Sequence, residues 1–388
     1  METRKRIAYI DSLRSLAIIM VLEGHFITQS LQNRFRDDQN PVYAFWKFTR
    51  CLTAPIFLFI SGLIFTYLLL KNKKKGFANT RLQKGFLRSL KLIVMGYLLQ
   101  LNLYSFWVLQ KPLLTDLFQI FHILQCIGSS LIIIMLLYLF KTYIAKIPLG
   151  ILAALLGSLF FMGSPTLHHL ELSTFPQFVE NIFVVSKNYE KTSVFPLFHW
   201  AGFVMFGATL GSVFYQFKYL IHTYLLPLTL CGIGLIWVCF YHDILSFIYQ
   251  SFRFSEQIVD FSYVFEFKRL GQVLIAIGVF IFLHKLSPVF KPVFKWFPWN
   301  QDLFVKMGQN TLSVFVLHVV ILYQGFFGWR INELTRKKLL PWQAILGAIL
   351  FILFFVLWVK FKDKLKSIPI NLFQNMIAFK QKVMGMNI

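Results

Sequence analysis

A histidine and an arginine near the start of the chain have the types and the spacing for chemistry inside a helix. Arg14 and His25 are eleven residues apart in an apolar stretch. Eleven residues make about three helical turns, so both side chains lie on one helix face, roughly 16 Å apart along the axis. Because imidazole titrates near neutral pH, it can accept a proton from a reacting group. The spacing predicts a cation near one end of a helix and a reactive histidine deeper along the same face.

Two acidic residues accompany this pair and are further catalytic candidates. Asp11 precedes Arg14 by three residues, the spacing at which opposite charges pair on a helix. Glu23 is two residues from His25 and points away from it, so Glu23 needs a partner of its own or a proton. Ionisable groups in a membrane span are costly, which makes all four residues functional candidates. The alternative for His25 is a packing role in which the ring donates one hydrogen bond.

The second apolar stretch, which begins near residue 50, adds two candidate substrate-binding residues. Arg50 stands at its beginning, on the side of the membrane that His25 approaches, so we expect both side chains to line one cavity. Ser61 belongs to a Ser-Gly pair further along, and Pro55 lies between them. Small residues and proline within a span let neighbouring backbones approach closely.

Four cations then repeat at helical spacing and share one helix face. They are the candidate cofactor-binding residues Arg81, Lys84, Arg88 and Lys91. Such a stripe suits a phosphate-rich ligand, because a guanidinium group donates two parallel hydrogen bonds to phosphate. The alternative is that these residues only orient the helix and contact anionic lipid. We assign that second role to the lysines at 71–75.

Later apolar stretches contain isolated polar residues, and three of these are candidate substrate-binding residues. These three are Gln125, Asn310 and His318. His122 and His199 stand in similar surroundings. For every one of these residues, hydrogen bonding between neighbouring helices is the alternative. No zinc-binding or phosphate-loop motif occurs in the sequence, so no metal site is predicted.

The composition requires a membrane environment for these residues. Of the 388 residues, 57% are hydrophobic and 14% are charged, which excludes a soluble enzyme and a disordered chain. The apolar residues come in unbroken runs, so we expect an all-α polytopic membrane protein instead of a barrel. The net charge of +23 would suit nucleic acid in a soluble protein, but basic loops also orient membrane helices. We therefore expect contact with membrane lipid and none with nucleic acid.

About ten transmembrane helices are predicted from apolar runs of sufficient length. The runs lie at 13–31, 52–70, 87–106, 120–140, 147–163, 195–215, 219–241, 268–286, 303–327 and 342–361. Alternating spans place 24 basic residues on the side of the N-terminus and 14 on the other, which predicts that both termini are cytoplasmic.

We expect one membrane domain over 1–388, without a cleaved signal peptide, because the first apolar run shows no small-residue cleavage site. Its core motifs are expected at 7–130, 195–215 and 303–325, and a basic cytoplasmic tail at 362–388.

Taken in order, these motifs resemble the superfamily of transmembrane acyltransferases. This group includes the acyltransferase 3 family, the glucan succinyltransferases and the heparan-α-glucosaminide N-acetyltransferases. The most specific match is in the first span, where Asp11, Arg14 and His25 fit the superfamily's Arg-x10-His pattern. Lys84 stands where the basic loop of the superfamily has an arginine, and Ser15 where a glycine usually follows the first arginine. The other similar segments are 50–62, 81–91, 124–128, 195–211 and 308–318.

The resemblance implies an enzyme that moves an acyl group across the membrane. Acyl-CoA, most often acetyl-CoA, would bind from the cytoplasm with its phosphates on the basic stripe, and no metal would take part. A hydroxyl or amine of a surface carbohydrate or glycolipid would arrive from the other face. His25 would act as general base or as transient acyl carrier, and Arg14 would pair with Asp11 or contact the donor. The same resemblance implies a protein of the bacterial cytoplasmic membrane that can form a homodimer. It leaves open the identity of the acyl group, the identity of the acceptor and the branch of the superfamily.

Two other classes of protein fit the same pattern of spans. A transporter or flippase of a glycan or lipid intermediate would also have about ten spans with a polar interior. A non-enzymatic membrane protein would need no active residues at all. Release of free CoA when an acceptor is supplied separates the enzyme from both alternatives.

Overall fold

The computed structural model describes residues 8–101, 120–169, 176–183, 194–251, 265–294, 301–324 and 331–366. These residues form α-helices, short 3-10 turns and one π-helical turn, and they contain no β-strand beyond an isolated bridge between Leu31 and Leu339. The predicted all-α polytopic membrane class is confirmed.

Thirteen α-helices follow one another along the described chain. They are α1 (Ala8–Ser30), α2 (Pro41–Leu70), α3 (Thr80–Leu98), α4 (Ile123–Tyr143), α5 (Leu149–His169), α6 (Gln177–Phe183), α7 (Leu197–Gln216), α8 (Leu225–Ser251), α9 (Phe265–Phe294), α10 (Gln301–Gln309), α11 (Thr311–Val319), α12 (Ile331–Thr335) and α13 (Pro341–Lys366). A π-helical turn, Val320–Gln324, continues directly from α11.

The long helix α2 begins at a capped end that its sequence explains. Pro41 occupies the first helical position, where the missing N–H costs nothing. The side-chain oxygen of Asn40 accepts hydrogen bonds from the backbone N–H groups of Val42 and Tyr43, at 3.0 and 3.3 Å. This start places Arg50 in the early part of α2, beside the end of α1.

Helices α2 and α7 pack backbone to backbone through glycine. A Cβ atom at Gly62 would lie 1.9 Å from the carbonyl oxygen of Val204, and one at Gly207 would lie 1.9 Å from the carbonyl oxygen of Phe59. These distances are far below van der Waals contact, so only glycine fits at either position. The prediction that the Ser-Gly pair lets backbones approach is confirmed. The contact fixes α7 relative to α2, and both helices contribute to the site described below.

Six of the described helices are long and apolar enough to cross a membrane. The number becomes seven if the bent pair Leu303–Gln309 and Thr311–Tyr323 is one span. Helices α1 and α3 are not among them, and the apolar part of α5, Leu149–Ser164, is shorter. Each of the ten predicted runs overlaps a described helix, but the number of spans and the cytoplasmic termini stay predictions.

The run predicted at 303–327 is not one straight helix. Helices α10 and α11 meet at Asn310 with a bend of 73° between their axes. The Asn310 side chain donates a 2.9 Å hydrogen bond to the carbonyl oxygen of Lys306 and accepts one from Lys362. The prediction used the mean hydropathy of the whole run, and one polar residue such as Asn310 changes that mean too little to reveal the bend.

The predicted basic tail begins inside a helix, because α13 continues to Lys366. Residues 367–388 lie outside the described part of the chain. Residues 102–119, which belong to the first predicted core motif, lie outside it as well.

Candidate active site

One end of the helix bundle contains a cavity of about 640 Å³. It lies where α1, α3 and α11 end and where α2, α4, α7 and α9 begin, as expected for neighbouring helices that alternate in direction. Most of its wall is apolar or aromatic, which is typical of a ligand cavity. The histidine, arginine, glutamate and tyrosine residues on its wall are His25, Arg50, His122, His199, Glu266, Arg269 and Tyr323.

His25 is held on the cavity wall by a hydrogen bond to the π-helical turn. The hydroxyl group of Tyr323 and Nδ1 of His25 are 2.7 Å apart. The fully buried ring of His318 meets the His25 ring edge to face, with 5.2 Å between their centroids. Because Nδ1 is engaged by Tyr323, Nε2 is the ring nitrogen that remains for a ligand.

Arg50 lies beside His25, as predicted, and lines the same cavity. Its Nε donates a 3.3 Å hydrogen bond to the carbonyl oxygen of Gly24, and its aliphatic carbons pack against that glycine. The Glu23 carboxylate accepts a hydrogen bond from the indole N–H of Trp46. The prediction that Glu23 points away from His25 and needs a separate partner is therefore confirmed.

A histidine and a glutamate lie in contact on the same cavity wall. Nδ1 of His199 on α7 lies 2.7 Å from Oε1 of Glu266 on α9. The Glu266 side chain is 3% exposed, whereas 44% of the His199 side chain is exposed. Arg269, one helical turn beyond Glu266, also lines the cavity, and its guanidinium group lies 5.5 Å from the centroid of the Phe265 ring.

A second and much smaller space of about 40 Å³ contains two arginines, Arg14 and Arg88. Ser61 and Thr311 also line it. The Arg14 guanidinium donates a 2.9 Å hydrogen bond to the hydroxyl of Thr311 and lies 3.7 Å from the carboxylate of Asp11. The predicted pairing of Asp11 with Arg14 is confirmed, and Arg14 also connects α1 to the start of α11.

The two spaces are separated by Phe315 and Leu124, which line both of them. The Phe315 ring stacks on Phe57 with 6.4 Å between centroids, and it meets the ring of His318 at 4.9 Å. The face of α1 that carries the cation and the imidazole thus reaches two neighbouring spaces instead of one.

The predicted basic stripe lies on α3, but only one of its members reaches a cavity. Arg88 lines the small space beside Arg14. Lys84 and Lys91 are exposed and Arg81 is half-buried, and none of these three residues lines either space.

Among the candidate substrate-binding residues, Arg50 lines the large cavity and Ser61 lines the small space. His318, Gln125 and Asn310 line neither, although His318 packs against the ring of His25. Gln125 is fully buried, and its side-chain oxygen accepts a 3.3 Å hydrogen bond from the backbone N–H of His122. It also packs on Gly96, where a Cβ atom would lie 2.3 Å from Oε1 of Gln125. Gln125 therefore fixes the start of α4, and Asn310 forms the bend between α10 and α11.

Of the charged and tyrosine residues on the wall, three were not among the sequence-based candidates, namely Tyr323, Glu266 and Arg269. Glu266 and Arg269 stand directly at the start of a long apolar run, and charged residues in that position are a signal for a site at the mouth of a cavity. Nothing in the sequence marks Tyr323, which is one of 15 tyrosines. Tyr323 contacts His25 because of the bend between α10 and α11, which depends on tertiary structure.

Within the described ranges, no group of three or more histidine, cysteine, aspartate or glutamate side chains could hold a metal ion. The polar side chains on the cavity wall carry imidazole, carboxylate, phenol, guanidinium, thiol and hydroxyl groups.

Comparison with known proteins places the chain among membrane acetyltransferases. A family model described as heparan-alpha-glucosaminide N-acetyltransferase, catalytic, matches residues 6–242. The matched part includes Arg14, His25, Arg50 and His199, and it ends before α9 and α11. No curated protein matches the sequence.

Proposed function

This chain belongs to the family of the heparan-alpha-glucosaminide N-acetyltransferase catalytic domain, and we propose that it acetylates a carbohydrate or glycolipid across a membrane. The donor is acetyl-CoA from the cytoplasm, and the acceptor group is a hydroxyl or an amine on the opposite side. The observation that carries the proposal is the position of His25, on the wall of a 640 Å³ cavity with its Nδ1 bound to Tyr323.

The donor side is the end of the bundle that contains Arg14 and Arg88. Two guanidinium groups at one small space provide charge for the phosphates of CoA. A space of about 40 Å³ has room for only a few water molecules, so binding of the donor must widen it. The exposed Lys84 and Lys91 extend the positive charge of α3 toward the surface.

The acceptor side is the large cavity. Its volume of about 640 Å³ is in the usual range for a cavity that encloses a small organic ligand. Aromatic residues such as Phe195 and Trp200 line it, and they give a sugar ring flat surfaces to pack against. Arg50 and Arg269 supply hydrogen-bond donors on the wall of this cavity.

His25 acts at the reacting thioester, because it lines the large cavity and is linked through His318 to the boundary between the two spaces. The ring of His25 touches His318, which in turn touches Phe315 on that boundary. In direct transfer, the acceptor attacks the acyl carbon and CoA leaves as thiolate. In the two-step route, Nε2 of His25 takes the acyl group first and the acceptor takes it from His25.

The pattern of basic residues favours a cytoplasmic N-terminus, which puts Arg14 and Arg88 at the cytoplasmic end of their helices. A bacterial cytoplasmic membrane fits this arrangement, since acetyl-CoA is then on one side and surface glycans are on the other.

Acetyl-CoA turnover by the purified protein tests this function against transport. The full chain in lipid nanodiscs is supplied with acetyl-CoA and with glucosamine, which carries both an amine and hydroxyl groups. The enzyme releases free CoA in proportion to acetylated glucosamine. A transporter or flippase releases none above the rate of empty nanodiscs, and that result would overturn the proposal.

A further inference from the structure

We propose that His199, oriented by Glu266, removes the proton from the acceptor during acetyl transfer, so that the site has two histidines with different tasks. His25 then deals with the acyl group, and His199 with the attacking hydroxyl or amine. This inference rests on the proposed function and assigns a second catalytic residue and a positioning residue to it.

The first argument is the location of the pair. His199 and Glu266 line the same cavity as His25, and 44% of the His199 side chain is exposed to it or to solvent. Nδ1 of His199 faces Glu266 at 2.7 Å and lies 3.3 Å from the hydroxyl of Ser164. Nε2 has no partner among the described residues, so the outer ring nitrogen is available to an acceptor.

The second argument is the burial of Glu266. Its side chain is 3% exposed. Nδ1 of His199 lies 2.7 Å from Oε1, but its N–H does not point at that oxygen, and neither carboxylate oxygen accepts a hydrogen bond from any residue in the described part of the chain. A buried carboxylate in this state is costly unless a cation or a ligand compensates it. The imidazole of His199 is the group within contact distance, so a proton that His199 takes from the acceptor creates the compensating cation beside Glu266.

His25 lies near a positive charge and His199 near a carboxylate, and this difference suits His199 as the base. A base must carry a positive charge after it has taken a proton. A positive charge on His25 would face Arg50 on α2, while the rings of Tyr323 and His318 offer no negative charge. A positive charge on His199 would face the carboxylate of Glu266, as in catalytic dyads where a carboxylate orients and stabilises an imidazolium ion.

The chemical step balances without any further reactant. The acceptor oxygen or nitrogen forms a bond to the acyl carbon, and the bond from that carbon to sulfur, or to Nε2 of an acyl-His25, breaks. The proton of the acceptor passes to Nε2 of His199 and later to water. The thiolate of CoA takes a proton from water, so the products are the acetylated acceptor and CoA.

The alternative is that the pair only ties α7 to α9. Another buried glutamate provides the matched control for that role. Glu180 on α6 is 4% exposed, its Oε2 also lacks a hydrogen-bond partner among the described residues, and it does not line the cavity. If the buried carboxylates serve only packing, Glu266→Gln and Glu180→Gln will have the same effect on acetyl transfer.

The experiment compares two acceptors in nanodiscs, with acetyl-CoA as donor. Both acceptors lose a proton on acylation. Glucosamine needs a base to remove that proton during the attack, whereas hydroxylamine is nucleophilic enough at neutral pH to attack without one. The variants are His199→Ala, Glu266→Gln and the control Glu180→Gln. Empty nanodiscs supply the rate of the uncatalysed reaction, which is subtracted from every measurement.

His199→Ala is expected to lose roughly a hundredfold or more in transfer to glucosamine, the usual contribution of a positioned base. Its transfer to hydroxylamine is expected to stay near the wild-type rate, and added imidazole is expected to restore part of the transfer to glucosamine. Glu266→Gln should show the same selective loss to a smaller extent, and Glu180→Gln should show none.

Equal losses with both acceptors in His199→Ala and Glu266→Gln, or no loss in either variant, would overturn the inference. A wild-type protein that transfers to hydroxylamine but not to glucosamine would also overturn it, because no sugar acceptor would then reach His199. If the wild-type protein transfers to neither acceptor, the proposed function itself fails.

Discussion

The hydroxyl group of Tyr323 lies 2.7 Å from Nδ1 of His25, although 298 residues separate the two in the sequence. The contact joins the first helix to the π-helical turn after α11. It fixes the plane of the imidazole ring and directs Nε2 away from Tyr323. This single hydrogen bond therefore decides which ring nitrogen meets a ligand in the cavity.

Removal of this hydrogen bond should reduce turnover without unfolding the protein. A net hydrogen bond contributes about 0.5–1.5 kcal/mol, so Tyr323→Phe is expected to lower kcat by roughly three- to tenfold. The melting temperature should change little, because the phenyl ring still fills the same space. Acetyl transfer and thermal unfolding are measured on the same nanodisc preparation.

A tyrosine at the other end of the molecule provides the control for this variant. The hydroxyl of Tyr138 accepts hydrogen bonds from the backbone N–H of Gly76 and from the side chain of Asn79, both at 3.2 Å. Tyr138→Phe should lower the melting temperature and leave kcat unchanged. The account of Tyr323 is wrong if both phenylalanine variants behave alike.

Donor binding should depend on Arg88 more than on its neighbours in the stripe. Arg88 lines the space beside Arg14, and a hydrogen bond to a charged group contributes about 1.5–3 kcal/mol. Arg88→Ala is therefore expected to weaken CoA binding by tenfold or more, as measured by calorimetry. Lys84→Ala and Lys91→Ala should weaken it less, because neither lysine lines the small space. Unchanged affinity in all three variants would show that the stripe serves only to orient α3.

The close contact between α2 and α7 should be sensitive to a single methyl group. Gly62→Ala places a Cβ atom 1.9 Å from a backbone oxygen, and such overpacking typically costs about 1–3 kcal/mol. Gly232 on α8 is the control, because a Cβ atom there would meet nothing within 4 Å. We expect a lower melting temperature for Gly62→Ala and an unchanged melting temperature for Gly232→Ala. Equal melting temperatures would mean that the two helices do not pack as described.

Accessibility of single cysteines from each side tests the predicted topology. Cys51 and Cys239 are exposed, so the reporters are introduced into a chain whose four native cysteines are replaced by alanine. Lys73→Cys and Phe178→Cys both stand at exposed positions. Alternating spans put the first in the cytoplasm and the second outside. Labelling of both from one side of intact cells would contradict ten spans with cytoplasmic termini.

The sequence predicts those parts of the site that depend on one helix. Helical periodicity suffices for the pairing of Asp11 with Arg14 and for the separation of Glu23 from His25. The apolar runs suffice for the helices themselves. The position of Arg50 beside His25 follows because consecutive spans must alternate in direction.

The parts that the sequence does not predict depend on contacts between distant segments. Tyr323 reaches His25 only because α10 and α11 bend by 73° at Asn310. The partner of His199 is Glu266, which lies 67 positions later, and neither residue belongs to a motif with fixed spacing. Tertiary packing brings these groups together, and patterns of polarity along the chain carry no information about it.

The central claim is that His25 performs the chemistry instead of filling space, and His25→Ala tests it most directly. The acetyl-transfer rate and the melting temperature of the purified variant are measured side by side with those of the wild-type protein. A positioned imidazole contributes roughly 10²–10⁴-fold, so we expect at least that loss of turnover with a nearly unchanged melting temperature. A packing histidine would give the reverse, namely a less stable protein with near-normal transfer. A well-folded His25→Ala that still transfers acetyl groups at the wild-type rate would contradict the account.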